Sequence, residues 1–200
     1  MGDLAVAYRV ERQEAYKKEE MLDGKIVMMS PRPAVNHGVV ALNISRIFGN
    51  YLQDKPCSVF NDSMDVFLTD KDRVVPDVMI VCKKNIIKKN GIFGAPDLIV
   101  EVLSTATMKR DRGYKKNLYE QHGVKEYWLV NTDVDGGSIE VYLLKDGKYV
   151  LDDVYEFYPD FMLEDMTEEE KAEIVHEFKT SLFDDLVINI DKVFAKMHNL

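Results

Sequence analysis

No stretch of this chain approaches the roughly 20 consecutive apolar residues that a membrane-spanning helix needs. Its first ten residues also lack a basic region followed by an apolar run, so neither a membrane span nor a secretory signal is expected. Only two cysteines are present, Cys57 and Cys82, which is too few for a disulfide framework and makes no CxxC metal motif. Both stand beside apolar residues, so packed, reduced thiols and a cytoplasmic location are the expectation. A Walker loop, a dinucleotide fingerprint, a nucleophile elbow and a zinc motif are all missing. His176 and His198 have no ligand spacing to another histidine or cysteine. Internal repeats and low-complexity linkers are absent as well.

What remains is an ordinary globular composition, with 46% apolar and 30% charged residues in 200 positions, enough for one domain with a substantial core. The net charge of −9 argues against indiscriminate nucleic-acid binding, but the charge is unevenly spread. Residues 83–116 carry nine basic groups and three acids, while residues 152–200 carry fourteen acids and four lysines. Such a distribution belongs either to a solvated lysine loop beside an acidic surface or to a phosphate-facing basic stripe.

Asp23-Gly24 predicts a tight turn between strands at Glu19–Leu22 and Lys25–Met29, ended by Pro31 and Pro33. Helical spacing of Val40, Ile44, Ile47, Phe48 and Tyr51 predicts a helix from about Asn36 to Leu52. Strand-like runs follow at 58–60, 65–68, 77–81, 98–103, 126–130 and 138–144. The lysine-rich segment 83–96, with Gly91, Gly94 and Pro96, reads as a loop. Residues 108–122 read as a helix stopped by Gly123, and an acidic helical pattern recurs around 167–178. The whole is a mixed α/β or α+β fold, with a strand–helix–strand crossover at 98–130.

Three residues stand out chemically. Asp77 opens an apolar strand after Pro76, and Glu101 sits inside Leu98-Ile-Val-Glu-Val-Leu103, where an unpaired carboxylate would cost several kcal/mol. If those strands are neighbours, about 4.8 Å apart, both carboxylates reach one cation, and the Val102 carbonyl supplies a third oxygen. Oxygen-only ligands suit Mg²⁺ or Mn²⁺, and such a metal polarises a phosphate and activates a water. Lys115 shares a helix face with Asp111, Tyr119 and His122, from which it can orient water or neutralise charge on phosphorus. Each feature also has a plain reading: a turn at Pro-Asp, a helix-surface ion pair at Asp111–Lys115, packing at Tyr119 and core at Trp128.

These residues lie in segments that resemble a large bacterial family of restriction-endonuclease-like proteins, the Uma-two type. The resemblance covers residues 16–145. It is carried by Asp-Gly-Lys-Ile-Val-Met-Met-Ser-Pro-Arg-Pro (23–33), His37, Val-Pro-Asp-Val (75–78) and Gly-Ala-Pro-Asp-Leu-Ile-Val-Glu-Val-Leu-Ser (94–104). Arg-Asp-Arg-Gly-Tyr-Lys (110–115) and Gly-Val-Lys-Glu-Tyr-Trp-Leu-Val (123–130) complete it. It implies a restriction-endonuclease-like mixed central sheet flanked by helices, an N-terminal β-hairpin and a Pro-Asp…(Asp/Glu)-x-Lys nuclease site. Two positions after Glu101 stands Leu103, so the lysine has to come from the helix, and Lys115 matches the family's lysine. His37 matches the family's histidine, as a general base, a phosphate contact or a helix-start hydrogen bonder. Thr105 and Asn131, where the family often has Pro and Asp, read as peripheral.

The expectation is therefore a Mg²⁺- or Mn²⁺-dependent endonuclease cutting DNA, with Asp77, Glu101 and the Val102 carbonyl as metal ligands and Lys115 and His37 as catalytic partners. Lys109, Arg110, Arg112, Lys116 and Tyr119 would contact the substrate, and a homodimer would serve cleavage of both strands. One domain over 1–200 is expected, with the endonuclease-like core at 16–145 and an acidic, partly helical extension at 152–200. A nuclease-fold protein without turnover, binding nucleic acid or protein, is the alternative.

Overall fold

The computed structural model describes residues 19–29, 33–133 and 135–198. Ser30, Pro31, Arg32 and the first eighteen residues lie outside the described set, and with them the proposed end of the hairpin and the reading of the N-terminus. Two six-stranded mixed sheets share the chain. The smaller is built from β1 (Glu19–Leu22), β2 (Lys25–Met28), β4 (Val66–Thr69), β5 (Asp72–Val74), β7 (Ile87–Lys88) and β8 (Gly91–Phe93), in the order β2-β1-β5-β4-β8-β7. The larger, central sheet runs β12-β11-β10-β9-β6-β3, from β3 (Ser58–Asn61), β6 (Val78–Val81), β9 (Leu98–Val102), β10 (Glu126–Asn131), β11 (Gly137–Lys145) and β12 (Lys148–Phe157). β13 (Glu177–Lys179) and β14 (Val187–Asn189) form a separate hairpin-like pair.

Alternation along the central strands divides the apolar residues between two faces. Val78, Ile80, Leu98, Val100, Val102, Trp128 and Val130 point to one side, where α1 (Val35–Leu52) lays Val40, Ile44 and Phe48 against them. Met79, Val81, Ile99, Leu103, Tyr127 and Leu129 point to the other, where they meet Leu22, Val66, Val74 and Ile92 of the smaller sheet. Leu118 and Tyr119, from the helical stretch after β9, close that second core. The stretch itself is α2 (Met108–Arg110), a π turn over Asp111–Lys115 and α3 (Lys116–His122), ended by Gly123 in the left-handed conformation. It connects β9 to β10, which pair in parallel as the crossover predicts.

Three expectations are corrected here. Cys57 and Cys82 are not free thiols but a disulfide, with Cα atoms 4.0 Å apart. β3 and β6 pair antiparallel with Ser58 opposite Val81, so the next residues outward, Cys57 and Cys82, face each other; two isolated cysteines in sequence carry no sign of that register. The cytoplasmic expectation loses the support that free thiols lent it. Residues 83–96 are not a plain loop: a 3₁₀ turn (Lys84–Ile86), β7 and β8 lie there, with β8 pairing parallel to β4. The helical pattern after Pro159 splits into α4 (Asp160–Glu164) and α5 (Glu168–Ala172). Phe178 belongs to a strand whose inward side packs on Trp128 and Tyr155.

The C-terminal third is also bound into the core. β12 extends the central sheet beyond β11 over ten residues. α6 (Ile190–Phe194) packs its Val193 and Phe194 in the α1-side core, and Asn43 of α1 donates to the Val193 and Ala195 carbonyls. Buried Glu126 accepts from the Ser181 amide and hydroxyl, fixing the segment to β10. Gly137 marks one tight point: a Cβ there would run into the Phe194 ring. Gly137→Ala is expected to destabilise the protein by about 1–3 kcal/mol through overpacking, read from a denaturant melt against wild type. No helix among the described residues is long and apolar enough to cross a membrane.

Candidate active site

The two sheets are joined by Val75-Pro76-Asp77, which carries the chain from β5 into β6. Asp77 therefore sits where the sheets diverge, and it is 9% exposed. β6 pairs antiparallel with β9, Val78 opposite Val100, so the next residues outward, Asp77 and Glu101, stand opposite each other. By alternation Glu101 shares the face of Ile99 and Leu103, beneath the helical stretch and the smaller sheet. That face is buried, and Glu101 is 3% exposed.

Three elements converge on Glu101. Lys115, on the π turn, places Nζ 3.1 Å from Glu101 Oε1, 2.7 Å from Glu20 Oε1 and 3.5 Å from Asp111 Oδ1. Tyr119, one turn further, donates to Glu101 Oε1 at 2.7 Å. Glu20, on the inward side of β1, also accepts from the Val75 amide at 3.0 Å. From α1, His37 brings Nε2 to 3.2 Å from Asp77 Oδ2, and the same oxygen accepts from the Val102 amide at 2.7 Å. These contacts do not consume Asp77 Oδ1 or Glu101 Oε2.

The electrostatics follow from burial. Burial alone would push the Lys115 ammonium toward neutrality, but Glu101, Glu20 and Asp111 outweigh it and hold its pKa above the ordinary lysine value. Burial pushes Glu101 well above the usual carboxylate range; Lys115 opposes this, and Asp111, Asp77 and Glu20 add repulsion. Asp111 is raised in the same way, chiefly by burial. For His37, burial favours the neutral ring, yet the hydrogen bond and charge of Asp77, the charge of Asp62 and a hydrogen bond to Val102 raise it overall.

A cavity of about 280 Å³ opens over this group, lined by Glu20, His37, Asp77, Glu101, Asp111 and Lys115 together with Ser104–Thr107 and Arg110. Five carboxylates line it, those of Glu20, Asp62, Asp77, Glu101 and Asp111, against Lys115 and Arg110, so acids outnumber cations around a buried site. Asp111 Oδ1 and Arg110 Nε are buried without a hydrogen bond among the described residues. An all-oxygen, electron-rich donor set of this kind matches a hard divalent cation in chemistry. Among the described residues, however, no three histidine, cysteine or carboxylate side chains already converge as a ready-made metal cluster.

The structure thus brings Asp77, Glu101, Lys115, His37 and Arg110 together and places the Val102 backbone beside them. Arg112 and Lys116, expected to contact the substrate, lie outside the cavity lining. Arg112 pairs with Glu140 at 2.8 Å, and Lys116 lies 3.4 Å over the Tyr142 ring. Both project from the side of the helix that faces β11. Lys109 is exposed, and Tyr119 is buried as a partner of Glu101 and not turned to the cavity. His122 leaves the predicted row to bond the Leu118 carbonyl, and Thr105 lines the cavity instead of lying apart from it. Glu20 was missed in the sequence. Its signal was an acid two residues before Leu22, on the inward side of a short strand, the same kind of signal that singled out Glu101. The π turn was missed too; a helix widened there turns Asp111 and Lys115 to one side, and such turns recur at functional sites.

The chain is similar to known proteins in sequence and in fold. Residues 6–172 match the Uma2 family model, described as "Putative restriction endonuclease". Two uncharacterised proteins of Synechocystis sp. are 31% and 27% identical over 132 and 131 residues, covering 66% and 64% of this chain. The aligned stretches span 66% of the first relative's length and 73% of the second's. In fold, the chain is similar to a crystal structure from Anabaena variabilis described as a "putative nuclease belonging to DUF820". That likeness has a TM-score of 0.58 at 19% identity and covers 74% of this chain and 85% of the other. With most of its length matched by the family model, the chain belongs to the Uma2 family.

Proposed function

We propose that this protein is a divalent-metal-dependent endonuclease that hydrolyses DNA phosphodiester bonds. The observation that carries the reading is the Lys115 ammonium 3.1 Å from Glu101, beside Asp77 just ahead of the adjoining strand. It assembles two acids and a lysine although the lysine is not two residues after the glutamate. Asp77, Glu101 and the Val102 carbonyl would hold Mg²⁺ or Mn²⁺, which when bound supplies a polarised phosphate and a water of lowered pKa.

The remaining roles belong to the chain's own side chains. Lys115 is held cationic, so it stabilises charge on the phosphorus or orients the water, and it is not the base. Tyr119 and Glu20 hold it and Glu101 in register. His37, raised by Asp77, contacts phosphate as a cation more readily than it accepts a proton. Arg110, which also lines the cavity, would meet a phosphate oxygen. A homodimer would cut both strands of a duplex, and residues 1–200 would act as one domain.

A second reading, a nuclease fold that binds nucleic acid without turnover, is favoured by one contact. The shortest bond of Lys115 runs to Glu20 and not to Glu101. Cleavage of supercoiled plasmid with Mg²⁺ or Mn²⁺ separates the two. Wild type is expected to nick and linearise it, and Asp77→Ala and Lys115→Ala to lose at least about 10²-fold in rate. Equal activity in all three proteins would sink the assignment.

A further inference from the structure

The smaller sheet gives Glu20 to the cavity from its inward face; its outward face has no role in the site. Direct cross-strand pairing aligns Ile26, Met21, Arg73, Phe67 and Phe93 in one row across five strands. Phe67 and Phe93 stack at the end of that row, with ring centroids 4.5 Å apart and planes 14° apart, and Phe93 is 46% exposed. Next to Phe93 the sheet ends in the edge strand β7. Lys88 pairs with Gly91, two residues before Phe93 and on the same face. Close approach is built in: a Cβ on Gly91 would press on the Phe67 ring and the Asp65 carbonyl.

Residues 83–96 contain four lysines and no acid. Lys83, Lys84, Lys88 and Lys89 are all exposed, and none makes an ion pair with the described residues. Arg73, by contrast, is held by Glu19 at 2.9 Å. In a chain of net charge −9, a concentrated cationic edge beside an exposed, flat-stacked aromatic favours an anionic polymer with planar groups. We propose that this edge is a docking ridge for single-stranded DNA, with the lysines on its phosphates and Phe93 under a base. The identity of the polymer as DNA rests on the nuclease reading; the ridge itself rests on the lysines and the phenylalanine pair.

The experiment measures anisotropy of a labelled thymidine oligonucleotide of about 20 nucleotides and of a matched hairpin duplex over a salt series. The Lys84→Glu/Lys88→Glu/Lys89→Glu protein is expected to bind the single strand at least about tenfold more weakly, with a salt slope shallower by about 2. Phe93→Ala is expected to weaken single-strand binding about tenfold and leave duplex binding unchanged. Lysines on an edge strand also guard against edge-to-edge aggregation, and glutamates serve that purpose as well. A triple-glutamate protein that binds like wild type, while the triple-glutamine protein aggregates, would therefore overturn the ridge. Wild-type single-strand affinity in Phe93→Ala would overturn it too, as would losses seen only on phosphatidylserine vesicles. Unchanged oligonucleotide binding in a protein that cleaves plasmid refutes the ridge and leaves the nuclease. Variant-sensitive binding in a protein that cleaves nothing refutes the nuclease and leaves the ridge.

Discussion

Lys115→Met is expected to cost the protein about 3–5 kcal/mol in urea unfolding at neutral pH, because it strips the cation from a buried group of carboxylates. Lys115 is 2% exposed and lies within 3.5 Å of Glu20, Glu101 and Asp111. Removing one partner of such a cluster leaves uncompensated charge, whereas methionine replaces most of the lost volume. Adding Glu20→Gln to Lys115→Met should recover part of the loss by removing one of the repelling acids. The pH dependence has a definite sign. Glu101 and Asp111 are already raised in the folded protein, so the native state holds protons that the unfolded chain releases from about pH 4 upward. Their contribution to stability falls as pH rises through that window. Without Lys115 both would rise further, so the penalty of Lys115→Met should be smaller at pH 4 than at pH 8. Lys115 itself, raised above the ordinary lysine value, stays charged throughout and adds no slope there. A loss below about 1 kcal/mol, or one independent of pH, would show that the lysine is not what holds the acids together.

Mn²⁺ or Mg²⁺ is expected to raise the melting temperature at pH 8 by several degrees, since saturation at about 100 times Kd is worth about 2.7 kcal/mol. The shift should shrink toward pH 5. Protons held by Glu101 and Asp111 must leave for a cation to enter, so affinity rises with pH by up to about tenfold per unit for each proton displaced. Asp77→Asn should remove the metal shift and leave the metal-free protein as stable or more stable. Its amide oxygen can still accept from Val102, as Asp77 does at 2.7 Å, and one carboxylate fewer faces Glu101. Calorimetric titration of both proteins reads this directly. An equal metal response in Asp77→Asn would move the cation elsewhere, and a large drop in metal-free melting temperature would make Asp77 a structural residue.

The sequence alone was sufficient for elements whose cause is local. Asp23-Gly24 makes its turn because both residues accept positive φ, at 50° and 73°. α1 follows the spacing of Val40, Ile44 and Phe48, and β9 and β10 follow largely apolar runs between turn residues. Glu101 was legible for the same reason, since an acid inside Leu-Ile-Val-Glu-Val-Leu has no cheap place to go. The acidic C-terminal segment was less legible. Its strands are short and half exposed, and Phe178, Ile188 and Phe194 become inward residues only once the central sheet is there to receive them.

Tertiary structure decided everything that depends on which strands become neighbours. Cys57 and Cys82 pair because β3 and β6 are in register, and a lysine-rich segment becomes a sheet edge because β8 finds β4. Arg112 and Lys116 leave the cavity because a single helix cannot turn every cation to one side; Glu140 and the Tyr142 ring take the two that face away. Glu20 joins the cavity because the smaller sheet folds over the face that carries Glu101. Sequence determined which residues are too costly to bury alone: two acids opening or interrupting apolar strands, and a lysine within reach. Only the packing of two sheets and a helix around one cavity decided that they are buried together, because the cost of each buried charge is offset by partners that lie far apart along the chain.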